Sequence, residues 1–345
     1  MTDRFSLKTY AFFIFALLAV MLLCVCIGSV SIAPKDTLTA VFCTLLGKEV
    51  PAGISKNIIL NVRLPRVLNV ALVGAALSLC GAAMQGLLRN PLADGSTLGV
   101  SSGASLGAVI ALALGVTVPG SEYGGTMLMA MAFAFLSLVL ILSLAYALDH
   151  SLATNSIILI GVIFSMFISS VINLILSFLN DQVRSITFWT MGSLSGTGYA
   201  HTRILSLALL ICGGVIFRYA RELNAFAIGE DNARHIGVNV RRVKLVILIT
   251  VSVMIGVCVS IGGSIGFVGL VVPHFVRSFI GADHKKLVPL AVLCGGILTV
   301  WADILGRVLV TGADVPLGVT LGLIGAPLFI YMQVRKSYNF GKEPS

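Results

Sequence analysis

Residues 245–276 read LVILITVSVMIGVCVSIGGSIGFVGLVVPHFV, which is 32 consecutive positions without an aspartate, glutamate, lysine or arginine. A helix needs about 20 residues to cross the hydrocarbon core of a bilayer, so this stretch is too long for one upright span. Gly262, Gly263 and Pro273 interrupt it. Helix breaks at membrane depth are tolerated where protein or a cavity covers the freed backbone groups. We therefore expect one full crossing followed by a shorter, re-entering helix.

The rest of the chain has the same character. Of its 345 residues 57% are hydrophobic and 11% charged, and the mean hydropathy is +1.03. A soluble domain has about 25% charged residues, so this composition excludes a soluble enzyme and predicts an all-α polytopic membrane protein. Uncharged segments predict ten spans within a single transmembrane domain over residues 1–345, near residues 10–33, 66–88, 97–118, 124–148, 154–178, 203–220, 242–262, 267–281, 287–309 and 315–334.

The distribution of basic residues predicts the orientation of these spans. Lysine and arginine total 23 against 14 acidic residues, a formal charge of +9. With both termini in the cytoplasm, fifteen of the 23 lie on the inner side, which is the bias expected of membrane proteins. This topology makes residues 34–62 an external loop and residues 221–240 a cytoplasmic loop. The positive charge therefore indicates membrane topology, and no nucleic-acid partner is expected.

Motifs of catalysis and metal binding are missing from the sequence. It contains no G-x-x-x-x-G-K-[ST] phosphate loop and no H-E-x-x-H. Its seven cysteines show no C-x-x-C spacing, and its five histidines are scattered. We expect no enzyme activity, no metal site and no bound cofactor, and any ATP would be hydrolysed by a separate subunit.

Ionisable residues inside the apolar spans are few. A charge at the bilayer centre costs about 2.5–3.5 kcal/mol on insertion scales, so each needs a structural or functional reason. Asp303 and Arg307 are four residues apart and can pair on one helix face. Such a pair can serve the structure or the function, and the sequence does not decide between them. A proton-coupled secondary transporter usually has a longer relay of acidic residues or histidines. The lack of such a relay disfavours that class.

Two further patterns concern the spans themselves. In residues 86–99, Pro91 ends the second span and Ser96 or Thr97 can cap the third. A packed turn does not explain why Gln85 stands close to Arg89 and Asn90. Residues 77–81 and 259–263 are similar and lie five spans apart, an odd offset that predicts inverted-repeat-like halves formed by spans 2–5 and 7–10.

These motifs, in this order and over about residues 60–334, resemble the FecCD-like permeases. Those proteins are membrane subunits of ATP-binding-cassette (ABC) importers for ferric siderophores, haem and cobalamin. Gly95 and Asp314 depart from the family, which commonly has proline and glutamate there. The resemblance is carried by Arg63-Leu64-Pro65-Arg66, Gln85 with Arg89-Asn90-Pro91-Leu92-Ala93-Asp94, Trp189 with Gly192-Ser193-Leu194, residues 266–274 with Pro273 and His274, Asp303 with Arg307, and Pro316-Leu317-Gly318 before Gly325-Ala326-Pro327.

The resemblance implies partners and roles for particular residues. It implies a dimer of permeases, formed with a second copy or a paralogue, two cytoplasmic ATPase subunits and an external substrate-binding protein. Thr154 and Asn155 match the cytoplasmic gate, although they can equally be a helix cap. The residues implied to couple to the ATPase are Leu223, Ala225, Gly229, Glu230, Asp231, Arg234 and Gly237. The arginines implied to receive acidic residues of the binding protein are Arg63, Arg66 and Arg307. The residues of the structural motif are Gln85, Arg89, Asn90, Pro91, Pro273, His274 and Asp303.

The predicted function is therefore ATP-driven alternating access that imports a metal chelate across the cytoplasmic membrane. A ferric siderophore is the first choice because it is the commonest cargo of the family. Haem and cobalamin remain alternatives, since no residue decides among them. An ion-coupled secondary transporter and a membrane scaffold or channel without pumping activity are the rivals from other classes.

Overall fold

The computed structural model describes residues 7–28, 32–51, 55–119, 124–148, 154–179, 182–310 and 314–340. Regular structure in these ranges is helical, and a π-helical turn at Ile58–Arg63 and a 3₁₀ turn at Gly95–Leu98 precede the third and fourth α-helices. The α-helices are α1 Leu7–Cys26, α2 Pro34–Leu45, α3 Leu64–Leu87, α4 Val100–Ala113, α5 Gly124–Leu148, α6 Thr154–Ser177, α7 Val183–Thr190, α8 Tyr199–Arg218, α9 Ala220–Phe226, α10 Glu230–His235, α11 Val240–Gly262, α12 Val268–Ile280, α13 His284–Val308 and α14 Leu317–Phe340.

Each of the ten predicted spans overlaps a helix, although α1 ends at Cys26, before the predicted residue 33, and α4 is shorter than the predicted 97–118. Among the described residues, eight helices are long and apolar enough to cross a membrane, and α4 and α12 are shorter. The 13 residues of α12 reach only about 20 Å at 1.5 Å per residue, against a hydrocarbon core of about 30 Å. The expected break and short helix are therefore present, with α11 ending at Gly262 and α12 beginning at Val268.

One detail of the predicted third span is wrong. Ser96 and Thr97 do not precede its first turn directly, because residues 95–98 form the 3₁₀ turn. The N-cap of α4 is Gly99, whose φ of +72° belongs to the left-handed region. The glycine allows the chain to turn from the 3₁₀ segment into α4 without strain at a Cβ atom.

Helix α3 forms the centre of the bundle and packs against α8, α11, α12 and α13. Its small residues allow this close packing, because a Cβ atom at Gly81 would overlap the carbonyl oxygen of Gly269 in α12. A Cβ atom at Gly74 would likewise overlap the carbonyl oxygen of Gly295 in α13. The backbones of α3, α12 and α13 are thus in direct contact.

The charged and polar groups of interest lie at the two ends of this bundle. Following the predicted topology, we call the end that holds the start of α3 and the end of α13 the outer end. The opposite end, which holds α9 and α10, is the inner end. Helix α2 lies within the predicted external loop 34–62, and α9 and α10 form most of the predicted cytoplasmic loop 221–240.

Candidate functional sites at the two ends of the bundle

At the outer end, four charged side chains form what we call the outer ion-pair cluster: Arg66, Asp303, Arg307 and Asp314. Arg66 Nη2 lies 2.9 Å from Asp303 Oδ1, and Arg66 Nη1 lies 2.5 Å from Asp314 Oδ2. Asp303 also pairs with Arg307 on the same face of α13, and both side chains are 3% exposed. The cluster therefore joins α3 to α13 through a buried carboxylate between two guanidinium groups.

Two arginines at this end also bind the end of α1. Arg63 Nη1 donates to the carbonyl oxygen of Val25 at 3.1 Å, and Arg307 Nη1 donates to that of Ile27 at 2.9 Å. Carbonyl groups at a helix C-terminus have no partner within the helix, so these bonds satisfy groups that burial would otherwise leave unpaired. Arg63 is 5% exposed. Of the three arginines predicted to receive a binding protein, Arg66 has the most accessible side chain, at 14%.

The family motif around Gln85 has a structural explanation at the other end of α3. Pro273 has no backbone N–H, so it leaves the carbonyl oxygen of Gly269, four residues earlier in α12, without its helical donor. Gln85 Nε2 donates to that oxygen at 3.3 Å and to the carbonyl oxygen of Leu270 at 3.1 Å. Its Oε1 accepts from Arg277 Nη1 at 3.2 Å. The buried glutamine thus repairs the helix that the proline interrupts.

Three further motif residues, Arg89, Asn90 and Pro91, form the turn that follows α3. Arg89 is exposed and has a φ of +51°. Asn90 Oδ1 accepts from the backbone N–H of Leu92 at 2.9 Å, which closes a turn around Pro91. His274 is buried in α12, 8% exposed. Gln85 therefore acts between helices, whereas Arg89 and Asn90 shape the connection to α4.

The predicted coupling segment contains two short helices, and α9 is the anchored one. Leu223 and Phe226 have no exposed surface. They lie on the helix that contacts α3, α8 and α13. Asn224 Nδ2 donates to Asp283 Oδ1 at 2.7 Å, and Asn224 Oδ1 accepts from the backbone N–H of His284 at 2.8 Å. Hydrophobic burial and polar bonds therefore fix α9 to the start of α13.

Asp283, the N-cap residue of α13, is charged at neutral pH. Burial raises the pKa of its carboxyl group, but hydrogen bonds from Asn224 and from the backbone N–H of Lys285, with the charges of Lys286 and Lys285, outweigh burial and lower it. Because its folded-state pKa is below the ordinary value, its contribution to stability is present at neutral pH. That contribution is lost as the pH falls through the folded-state pKa.

Helix α10 is the exposed part of the coupling segment. Gly229 precedes it with a φ of +112°, a conformation that favours glycine, and Gly237 follows with a φ of +89°. Asp231 and Arg234 are exposed and pair with each other at 3.4 Å. Ile228 and Ile236, on either side of the helix, are 57% and 63% exposed. Ala225, in α9, is half-buried.

Glu230 differs from its neighbours on α10 because its carboxylate is bonded to side chains of two other helices. Lys244 Nζ lies 2.7 Å from Glu230 Oε1 and 2.8 Å from Oε2, and the lysine side chain has no exposed surface. Thr154 Oγ1 donates to Glu230 Oε1 at 3.3 Å. The structure thus brings the predicted coupling residue Glu230 together with the predicted gate residue Thr154. Sequence reasoning missed Lys244, although a lysine next to the uncharged run 245–276 was the available signal.

Helix α6, which Thr154 begins, has an exposed polar face in an otherwise apolar sequence. Asn155 is exposed beside Thr154. Further along the helix, Ser169, Ser170, Asn173 and Ser177 are exposed as well. Ser170 and Ser177 donate to carbonyl oxygens of their own helix, at 3.1 and 2.7 Å. The amide of Asn173 is a larger polar group that lipid tails cannot satisfy, so its exposure indicates contact with protein or with water.

The architecture and the two sites define a class of protein. Eight described helices of membrane-spanning length and composition form one bundle, with its ion pairs at the two ends and a short exposed helix at the inner end. These features are those of a polytopic membrane permease.

Comparison with known proteins gives the family. Residues 16–335 match the model of the FecCD transport family. An uncharacterised ABC transporter permease of Bacillus subtilis is 43% identical over 283 residues, 81% of this chain and 79% of the relative. The cobalamin import system permease of Halobacterium salinarum is 36% identical over 299 residues, 87% of this chain and 79% of the relative. A solved structure described as an inward-facing ABC transporter of metal-chelate type superposes with a TM-score of 0.83 at 28% identity, covering 95% of this chain and 99% of that one.

The chain belongs to the FecCD transport family. It is a multi-pass membrane permease of an ABC transporter, a transport subunit and not an enzyme.

Proposed function

We propose that this chain is the permease of an ATP-driven importer that moves a metal chelate, with a ferric siderophore as its substrate, across the cytoplasmic membrane. The observation that carries the proposal is the coupling segment. Helix α9 is fixed to the bundle core through Leu223, Phe226 and Asn224. Helix α10 presents exposed charged side chains, and exposed isoleucines lie on either side of it. Such a pair of helices can bind an ATPase subunit on one side and transmit its movement to the bundle on the other.

Mechanistically, ATP binding would close two cytoplasmic ATPase subunits and displace α10. The gates on either side of the transport path would then open in turn. A separate binding protein would supply substrate affinity, so the path itself can bind weakly. This scheme requires the inner end of the bundle to face the cytoplasm, which the bias of lysine and arginine supports.

The path would lie between this permease and a second copy or a paralogue. The exposed polar face of α6 supports this arrangement, since its serines and Asn173 would face water in the path instead of lipid. Thr154 and Asn155 stand at the inner end of the same helix, where a narrow gate would control release. The long apolar faces of α1 and α8, with only 11% and 17% of their most apolar windows buried, suit contact with lipid.

The outer end would receive the binding protein. Arg66 is the most accessible arginine there, and its guanidinium group already holds the partly exposed carboxylate of Asp314. An acidic side chain of a binding protein could replace Asp314 in that pair, because guanidinium binds carboxylates in the same planar geometry. Arg63 and Arg307 would have to leave their bonds to α1 before they could take part.

The metal-chelate class is supported by relatives that share most of the chain. They include permeases named for import of cobalamin, hemin and iron(3+)-hydroxamate. The same names make haem and cobalamin the alternative substrates. A permease with a weakly binding path can accommodate related cargoes, so the choice among them depends on the binding protein.

The test is uptake into proteoliposomes that contain the permease, its ATPase and its binding protein. Ferric siderophores, haem and cobalamin are offered in parallel, with and without ATP on the ATPase side. We expect ATP-dependent accumulation of a ferric siderophore. Accumulation of haem or cobalamin instead would correct the substrate, and uptake by the permease alone under a proton gradient would overturn the proposed mechanism.

A further inference from the structure

Thr154, Glu230 and Lys244 form one polar cluster, which we call the inner latch. It joins three elements that are distant in sequence, because Thr154 begins α6, Glu230 begins α10 and Lys244 lies near the start of α11. We propose that Glu230 positions α6 through its bond to Thr154, so that movement of α10 by the ATPase reaches the cytoplasmic gate directly. The inference deepens the proposed function and rests on it.

The ion pair fixes one side of the latch. Lys244 has a fully buried side chain, and a buried ammonium group requires a counter-charge. Glu230 supplies this charge with both carboxylate oxygens, at 2.7 and 2.8 Å from Nζ. The first residue of α10 is therefore firmly attached to α11.

The bond to Thr154 is the longer side of the latch, at 3.3 Å between Thr154 Oγ1 and Glu230 Oε1. Its donor is a neutral hydroxyl, and the accepting oxygen also contacts Lys244, so this hydrogen bond is weaker than the ion pair. When α10 moves, this hydrogen bond would therefore break before the ion pair does. The first turn of α6, with Asn155 beside Thr154, would then be free to take a second position.

The construction of α10 allows such movement. It is a helix of six residues bracketed by Gly229 and Gly237, both with positive φ. Its other charged pair, Asp231 with Arg234, lies within the helix itself and is exposed. That pair cannot pass a displacement to another element, which leaves Glu230 as the side chain of α10 that is bonded to both α6 and α11 among the described contacts.

The experiment measures how ATP changes access to the gate. The full permease carrying Asn155→Cys is assembled with its ATPase subunits in nanodiscs, and the rate of labelling by a charged maleimide is measured with and without Mg-ATP. The parent chain without Asn155→Cys gives the background from its seven native cysteines. Hydrolysis of ATP is followed in the same samples to show that the ATPase is still engaged.

Three variants are compared in this background. Thr154→Val keeps the shape of the side chain and removes the hydroxyl, Thr154→Ser restores it, and Thr250→Val is the matched control. Thr250 donates only to the carbonyl oxygen of Val246 in its own helix, at 2.7 Å. Neither threonine is a large buried side chain, so none of the variants creates a sizeable cavity.

We expect ATP to change the labelling rate in the starting protein, in Thr154→Ser and in Thr250→Val. In Thr154→Val this response should shrink by roughly tenfold, because a hydrogen bond to a charged group is worth about a factor of ten in an equilibrium. A merely structural threonine would alter labelling equally with and without ATP, and would leave their ratio unchanged. An unchanged ratio in Thr154→Val would overturn the inner latch.

Failure of the latch is distinguishable from failure of the proposed function. If ATP leaves labelling unchanged in the starting protein while uptake shows no dependence on ATP, the importer assignment is wrong. If the starting protein responds to ATP and Thr154→Val responds equally, the importer assignment stands and the latch alone is rejected.

Discussion

Helices α3 and α6 have the same length, 24 residues, and both are apolar enough to span a membrane, yet they occupy opposite environments. Twenty residues of α3 are buried, against four of α6. The difference follows from side-chain size. Helix α3 has five alanines and three glycines, whereas α6 has no alanine, one glycine and seven isoleucines.

Small residues let neighbouring backbones approach, and in a membrane this close packing takes the place of the hydrophobic effect. Helix α3 therefore holds α12 and α13 at backbone contact and carries the bonds that stabilise the fold. Helix α6 instead keeps bulky and polar side chains exposed, which suits a helix that contacts a partner and moves. We expect substitutions in the contacts of α3 to affect stability, and substitutions on the exposed face of α6 to affect transport.

The largest effect is expected at the outer ion-pair cluster, where α3 meets α13. Asp303→Asn removes the charge between Arg66 and Arg307 and should destabilise the protein by about 3–5 kcal/mol, the usual cost of breaking a buried ion pair. Thermal unfolding in detergent, followed by a thiol-reactive dye that detects buried Cys80 and Cys258, measures it. The control is Asp314→Asn, which is 34% exposed and should cost about 1 kcal/mol or less.

A smaller effect is expected at the contact between α3 and α12. Gly81→Val would place a side chain where the carbonyl oxygen of Gly269 lies, and forcing the helices apart should cost about 3 kcal/mol. The matched control is Gly214→Val on α8, where a Cβ atom has no neighbour within 4 Å. Equal unfolding temperatures for the two variants would contradict the close contact.

The next largest loss of stability is expected on replacing Gln85, the glutamine that bonds to the interrupted turn of α12. Gln85→Leu leaves the buried carbonyl oxygen of Gly269 without a donor and Arg277 Nη1 without this acceptor, at a cost of about 2 kcal/mol. Adding Pro273→Ala restores a backbone N–H to Gly269 and should recover part of the loss. If the double variant is no more stable than Gln85→Leu alone, the proposed repair is wrong.

The smallest change in stability is expected on α6. Asn173→Leu replaces an exposed polar side chain, so the free energy of unfolding should change by about 0.5 kcal/mol or less. ATP-dependent uptake should nevertheless fall if this face lines the path. If Asn173→Leu lowers stability but leaves uptake unchanged, then this face of α6 serves the fold as α3 does, and the proposed role in transport is wrong.

Much of the fold could be predicted because the local amino-acid composition of a segment is enough to identify a membrane span. Helix α5 has the predicted bounds, 124–148, since Gly120 and Glu122 precede it and Asp149 follows it. The pairing of Asp303 with Arg307 was also readable, because residues four apart share a helix face. The short α12 followed from the length of an uncharged run and the position of its glycines and proline.

The contacts of the candidate sites were harder to predict, because their hydrogen bonds and ion pairs join residues that are distant in the sequence. Glu230 and Thr154 are 76 residues apart, so nothing local indicates that they meet. Arg63 could be recognised from the family motif, but its burial depends on the end of α1, which lies 38 residues earlier. A sequence motif identifies which side chains matter, whereas tertiary packing decides which atoms they contact.

The bond between Gln85 and the interrupted turn of α12 has a consequence for evolution. The proline has removed a backbone donor, and a side chain 188 positions earlier in the chain now supplies it. Neither position is then free to drift independently, since losing the amide exposes the defect, and without the proline the amide keeps only its bonds to Leu270 and Arg277. Among homologous permeases, the two positions should covary as a pair, and chains without the proline should tolerate an apolar residue at the glutamine's place.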